Sequence, residues 1–256
     1  MADISSLKPF YSTLILAFAC SALVALAAVG LRPMQDTNRA LDQKKNILIA
    51  GGLYDDTKTV EEMFANIKTR LVDLPSGKFI PETELKVEDY DLAEARLDAD
   101  KSTLLAKDDD KARIRRRENI SIVYMVYDGT QLSQIILPVR GKGLWSTMYA
   151  YVAIGADLNT ISGVSFYEHG ETPGLGGEIE NPRWQSAWAG KEIYAQNGKT
   201  AFTIAKTKAN PQDIHQIDGL SGATFTAKGV GDLMLFWFGD NGFKPFLEQL
   251  ALARNK

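Results

Sequence analysis

The run Asp218-Gly219-Leu220-Ser221-Gly222-Ala223-Thr224-Phe225-Thr226 places a carboxylate, three hydroxyls and two glycines directly before an apolar helical pattern. Backbone N–H groups at a helix start, with hydroxyls beside them, suit a phosphate-bearing ligand. Gly222 and Ala223 carry too little side chain to keep a ligand from the backbone. Val230, Leu233, Met234 and Trp237 then recur at helical spacing, and Gly239 is the expected stop. This puts Thr224 near the positive end of a helix dipole. A plain serine or threonine helix cap is the competing reading of the same residues.

Two further loops could share a site with it. Glu171-Thr172-Pro173-Gly174-Leu175-Gly176-Gly177 lies about fifty residues earlier, and Gly141-Lys142-Gly143-Leu144-Trp145 precedes that. Taken alone, the first could be an ordinary Pro-Gly turn and Trp145 an ordinary core residue. Together, in this order and behind one N-terminal apolar span, the three segments resemble the covalent FMN-binding domain family. In motif order and length the chain is similar to the family of C subunits of sodium-translocating NADH:quinone oxidoreductases.

That resemblance implies FMN joined through a phosphoester to Thr224, the last residue of Ser-Gly-Ala-Thr, with Ser221, Gly222 and Ala223 around the phosphate. Asp218 belongs to the stretch that a separate flavin transferase recognises; that enzyme uses FAD and magnesium, leaves FMN attached and releases AMP. The flavin ring needs apolar walls and polar contacts at its pyrimidine edge. Trp145 and Leu175 are the candidate walls, and Thr172 and Gly174 offer a hydroxyl and unobstructed backbone. A threonine hydroxyl is a poor nucleophile, and the chain has no Gly-rich lysine loop to bind a nucleotide donor. It is therefore expected to be modified by another enzyme. The implied role is an FMN-carrying electron relay in a six-subunit bacterial inner-membrane complex that oxidises NADH, reduces ubiquinone and exports sodium. The homologous subunit of ion-pumping ferredoxin:NAD oxidoreductase and a cofactor-free anchored assembly subunit are the alternatives.

Other chemistries fit less well. Gly219-Leu220-Ser221-Gly222-Ala223 lacks the final glycine of a hydrolase nucleophile elbow, and both histidines, His169 and His215, precede Ser221. Glu168, His169 and Glu171 offer one imidazole among loop carboxylates, a weak metal pattern. No glycine fingerprint follows a strand, so NADH binding is not expected here. The formal net charge of −3 argues against a nucleic-acid partner. Cys20 is the only cysteine and sits in the apolar run, which leaves no intrachain disulfide.

Among the elements that must position these loops, the first is an apolar run. Residues 9–31 carry no charge, and a span over about 11–31 is long enough to cross a bilayer. A cleaved signal peptide is the rival, since Ala25-Leu26-Ala27 fits small-x-small. Arg32, Arg39, Lys44 and Lys45 follow the span and only Lys8 precedes it, which would place the large domain in the cytoplasm. The resemblance implies a periplasmic domain instead. Thr59-Val60-Glu61-Glu62 is a capping box, with Val60, Phe64, Ile67 and Leu71 expected on one helical face. The charge-dense stretch 86–118 reads as a solvated face, with a partner contact as the sharper alternative. Ile120 to Val126, Asp128-Gly129 and Leu132 to Val139 form a hairpin pattern. Tyr149 to Ile154 and Ile161 to Tyr167 are further strands around Asp157-Leu158-Asn159, and short helices follow Asn181. The expected class is α+β with an antiparallel sheet. The parts are an anchor (1–33), a helical and charged extension (34–118) and an FMN-binding domain (119–256).

Overall fold

The computed structural model describes residues 7–254. Its first element, α1 (Lys8–Ala50), is one helix of 43 residues, about 65 Å at the usual rise. Its apolar part has a mean hydropathy of 2.6 and is long enough to cross a membrane. The chain divides into two compact units, one holding the residues up to Gln43 and the other starting at Lys44. The last turns of α1 therefore belong to the second unit.

That unit is built on a six-stranded sheet comprising β1 (Ile67–Asp73), β2 (Lys78–Phe79), β5 (Ile120–Asp128), β6 (Gln131–Lys142), β7 (Thr147–Gly155) and β8 (Ile161–Glu168), in the spatial order β2-β1-β5-β6-β7-β8. Every pairing in it is antiparallel. Two short pairs stand apart: β3 (Ser102–Leu104) with β4 (Arg116–Glu118), and β9 (Thr203–Ile204) with β10 (Gln216–Ile217). The other α-helices are α2 (Val60–Phe64), α3 (Leu92–Leu97), α4 (Pro182–Ser186), α5 (Thr224–Trp237) and α6 (Lys244–Arg254), with short 3-10 turns at Val87–Asp89 and Gly176–Glu180. The α+β class and antiparallel sheet match the sequence expectation.

Strand alternation sorts the core into two layers. Val123 and Met125, Ile135 and Leu137, and Val152 and Ile154 face the main core beside Val230, Leu233 and Trp237 of α5. Val126, Ile136, Tyr151 and Ala153 face the other side, where Ile47, Leu48 and Ala50 of α1 cover them. A sheet buried on both faces explains why Ile135-Ile136-Leu137 is continuously apolar. Pro138, inside β6, has no N–H to donate. The β5–β6 ladder accordingly ends at Tyr124/Ile136, and Pro138 pairs only with Tyr151 of β7.

Several expectations need correction. The capping box at Thr59 and Glu62 is present, but its helix ends at Phe64. Ile67 to Asp73 is instead strand β1, paired residue by residue with β5. Four-residue spacing, as between Ile67 and Leu71, also keeps two side chains on one face of a strand, so periodicity alone could not separate the two. The charge-dense stretch is not solvated throughout, because Arg117 and Glu118 are buried. The hairpin turn falls on Gly129-Thr130, one residue later than Asp128-Gly129, since Asp128 pairs with Gln131 and Gly129 takes φ +59°. Helix α5 does end as expected: its last residue is Trp237, Phe238 caps it and Gly239 follows immediately as the stop. There the Trp237 indole donates to Arg140 O at 2.6 Å, and its carbonyl accepts from Phe243 N at 2.6 Å.

Candidate functional site

Three loops converge on one carboxylate. The first, Gly143 to Ser146, closes the β6–β7 hairpin and is tied by Gly143 N–H donating to Ser146 O at 2.8 Å. Its inward amides all donate to Glu171: Leu144 at 3.2 Å, Trp145 at 3.0 Å and Ser146 at 3.1 Å. The second loop leaves β8 and carries Glu171 itself, 5% exposed. The third is the start of α5, from which the Thr226 hydroxyl donates to Glu171 Oε2 at 2.6 Å. Burial pushes the Glu171 carboxyl up, but the Thr226 hydroxyl and the three amides outweigh it and hold it below the ordinary carboxylate range.

Glycines make this convergence possible. A Cβ on Gly143 would lie 2.5 Å from Glu171 Oε1, and one on Gly176 would lie 2.5 Å from the Thr226 hydroxyl. Gly222 takes φ +69°, and a Cβ there would lie 2.9 Å from the Leu175 side chain. Leu175 of the second loop thus rests on the Ser-Gly-Ala-Thr turn.

Thr224 is the first residue of α5 and is exposed, whereas Thr226 is sealed at 1% exposure. The residue before the helix is Ala223, and no side chain caps it. The plain-cap reading of Ser-Gly-Ala-Thr therefore fails, since none of its hydroxyls serves that purpose. First-turn N–H groups without a side-chain cap are left to a ligand or solvent. Around them stand exposed apolar side chains, Trp145 at 67% and Leu175 at 45%. Such exposure of large apolar groups beside uncapped donors suits a flat apolar ring with a phosphate tail.

Of the residues singled out from sequence, Ser221, Gly222, Thr224, Thr172, Gly174, Leu175 and Trp145 are all exposed, and Ala223 is buried. Glu171 and the Leu175–Gly222 contact bring the three motifs together. Asp218 is engaged elsewhere: its Oδ1 accepts from Ala209 N at 2.8 Å and its carbonyl from the Trp184 indole at 2.9 Å. The metal reading of Glu168, His169 and Glu171 finds no support, because among the described residues no group of His, Cys, Asp and Glu could hold an ion. His169 Nδ1 accepts from Glu171 N at 3.1 Å, and its Nε2 lies 2.9 Å from Glu180.

Sequence reasoning missed two features here. Glu171 was visible only as the first letter of a loop motif, because the four donors it gathers are distant in sequence. Phe225, 68% exposed beside Thr224, and Leu144, 45% exposed beside Trp145, extend the apolar rim. An apolar residue at a solvent-facing position of an amphipathic helix was the available signal.

Comparison with known proteins bears on this site. An FMN-binding domain model matches residues 143–238, which contain all three loops apart from Gly141 and Lys142. A Vibrio parahaemolyticus protein, named as the C subunit of Na(+)-translocating NADH-quinone reductase, is 46% identical over 238 residues, 92% of this chain and 91% of that one. The crystal structure of Shewanella oneidensis NqrC superposes with a TM-score of 0.76 at 38% identity, covering 82% of this chain and 97% of that one. The crystal structure of the Na(+)-translocating NADH-quinone reductase C subunit from Parabacteroides distasonis gives 0.65 at 25% identity, covering 85% and 96%.

Proposed function

Because the chain belongs to the NqrC family, the C subunits of Na(+)-translocating NADH-quinone reductases, we propose that it is the FMN-carrying electron-transfer subunit of such a complex, with the flavin held covalently at Thr224. The observation that carries this reading is the pairing of an exposed threonine at an uncapped helix start with a sealed one two residues on. Bound FMN supplies the electron-accepting and electron-donating chemistry.

The chain's residues do the rest. Thr224 provides the hydroxyl oxygen that joins the FMN phosphate, displacing AMP from FAD and releasing the hydroxyl proton on a separate flavin transferase. The first-turn N–H groups and the positive end of α5 stabilise the phosphate charge, helped by Ser221, Gly222 and Ala223. Trp145 and Leu175 would flank the ring and Thr172 and Gly174 would meet its polar edge, while Asp218 would shape the segment the transferase reads. A tethered cofactor cannot dissociate, which suits relay between fixed redox centres.

Functionally we divide the chain into an anchor (1–33), an extension (34–118) and the flavin-carrying part (119–256). The anchor spans the bacterial inner membrane once, with the large domain periplasmic, and the partners are the other subunits of a six-subunit sodium pump. The apolar α1 supports the single span and the family supports a membrane complex; the basic residues after the span favour a cytoplasmic domain, but long domains translocate largely regardless of such charge.

The test is in-gel flavin fluorescence after SDS denaturation, with peptide mass mapping, in a host supplying the transferase. Thr224→Ala is expected to give a dark band from a folded protein, and Thr226→Ala a fluorescent one. Covalent flavin retained in the Thr224 variant would overturn the assignment.

A further inference from the structure

Every group that faces the Glu171 carboxylate is a donor. Three are consecutive amides of the Trp145 loop, and the fourth is the third residue of α5. The three amides can only donate, whereas the Thr226 hydroxyl could also accept; the anion is the form that accepts from all four at once, and protonation would cost at least one of these bonds. The geometry is also exacting, because Gly143 and Gly176 leave no room for a Cβ beside it. The same Trp145 peptide is gripped from its other end, where the Lys142 ammonium donates to its carbonyl at 3.1 Å.

We propose that Glu171, as an ionised carboxylate, is the positioning residue of the flavin site: it sets the Trp145 loop against the start of α5 and thereby determines how the ring is held. This rests on the flavin assignment above. The charged and titratable groups around Glu171 are few. Lys142 faces it across the Trp145 peptide from the end of β6, His169 backs it within its own loop, and Glu178 and Glu180 line the adjoining cleft of about 460 Å³. From α5 only the neutral Thr226 reaches it, since Lys228 is paired with Asp232 at 2.6 Å.

A carboxyl held below its ordinary range contributes order that is complete above its unfolded value and is lost as pH falls through the folded one. The Trp145 loop is therefore tight at neutral pH and loosens in acid. An indole stacked on a flavin quenches its fluorescence, so that loosening reads as brightening.

The experiment uses the detergent-solubilised, flavinylated full chain, recording flavin fluorescence and hydrogen exchange of residues 144–146 against pH, with exchange corrected for its intrinsic pH dependence. The native chain is expected to be dim at neutral pH and to brighten on acidification below the ordinary carboxylate range. Glu171→Gln should be several-fold brighter at neutral pH and show no acid step, with those amides exchanging about tenfold faster, the loss of one charge-assisted bond. Thr226→Val, which removes one donor and keeps the carboxylate, should brighten slightly and retain the step, and it serves if the glutamine variant fails to fold. An unchanged profile in Glu171→Gln, or a Thr226→Val chain without an acid step, would overturn the proposal. A native chain with no flavin on Thr224 would sink the flavin assignment alone; exchange at residues 144–146 that then shows no acid dependence would sink this one as well.

Discussion

Glu118 shows what single residues cost and contribute in this fold. Its side chain has no exposed surface, yet it accepts from Arg140 at 2.6 Å and lies 3.6 Å from Arg96. Removing the carboxylate would leave two largely buried guanidinium groups without their counter-charge. Glu118→Ala should therefore lower stability by about 3–5 kcal/mol in urea unfolding, and a loss under about 1 kcal/mol, the range of exposed pairs, would show that water already reaches this cluster. Nothing in the run Arg115-Arg116-Arg117-Glu118 distinguishes the buried pair from its solvated neighbours. Burial there depends on β6 and α3 arriving from elsewhere in the chain. Thr224 and Thr226 pose a lesser problem at the site. The motif favoured one of them; helical spacing puts Thr226 on the buried face of α5 with Val230 and Leu233, and the bond to Glu171 then occupies its hydroxyl.

At the scale of elements, the hairpin, the strands β7 and β8 and the helix α5 were legible because their apolar periods are local and unambiguous. Strand β1 was not, since Ile67 and Leu71 satisfy both periods and the choice between them is made by a partner strand some fifty residues away. The last turn of α1 likewise meets the sheet through a contact no local pattern reveals. A Cβ on Gly163 of β8 would lie 2.5 Å from Ala50 O, and Ser165 beside it donates to Asn46 at 2.7 Å. Gly163→Ala should destabilise the domain by about 1–3 kcal/mol, the usual cost of overpacking, as read by thermal unfolding. An unchanged melting temperature would mean that α1 is not held against β8 in solution.

For the molecule as a whole, the division near Gln43 makes a sharper statement than the apolar run does. Ile47, Leu48 and Ala50 are buried against Ile136, Tyr151 and Ala153, although they belong to the same helix as the exposed apolar segment. A chain starting at Lys44 should unfold cooperatively, while one starting at Gly51 should lose about 3–6 kcal/mol for two large apolar side chains and expose the outer sheet face. Equal denaturation midpoints for the two truncations would disprove this. From its sequence alone the protein could be assigned an apolar span, an antiparallel α+β domain, three glycine-rich loops and a helix starting close to Thr224, because each is written in neighbouring residues. Tertiary structure decided which glutamate binds the loops together, what the buried threonine hydroxyl bonds, which charges are buried and where the anchor helix becomes part of the domain. Those outcomes depend on hydrogen bonds and packing between segments tens of residues apart, and no local pattern encodes them.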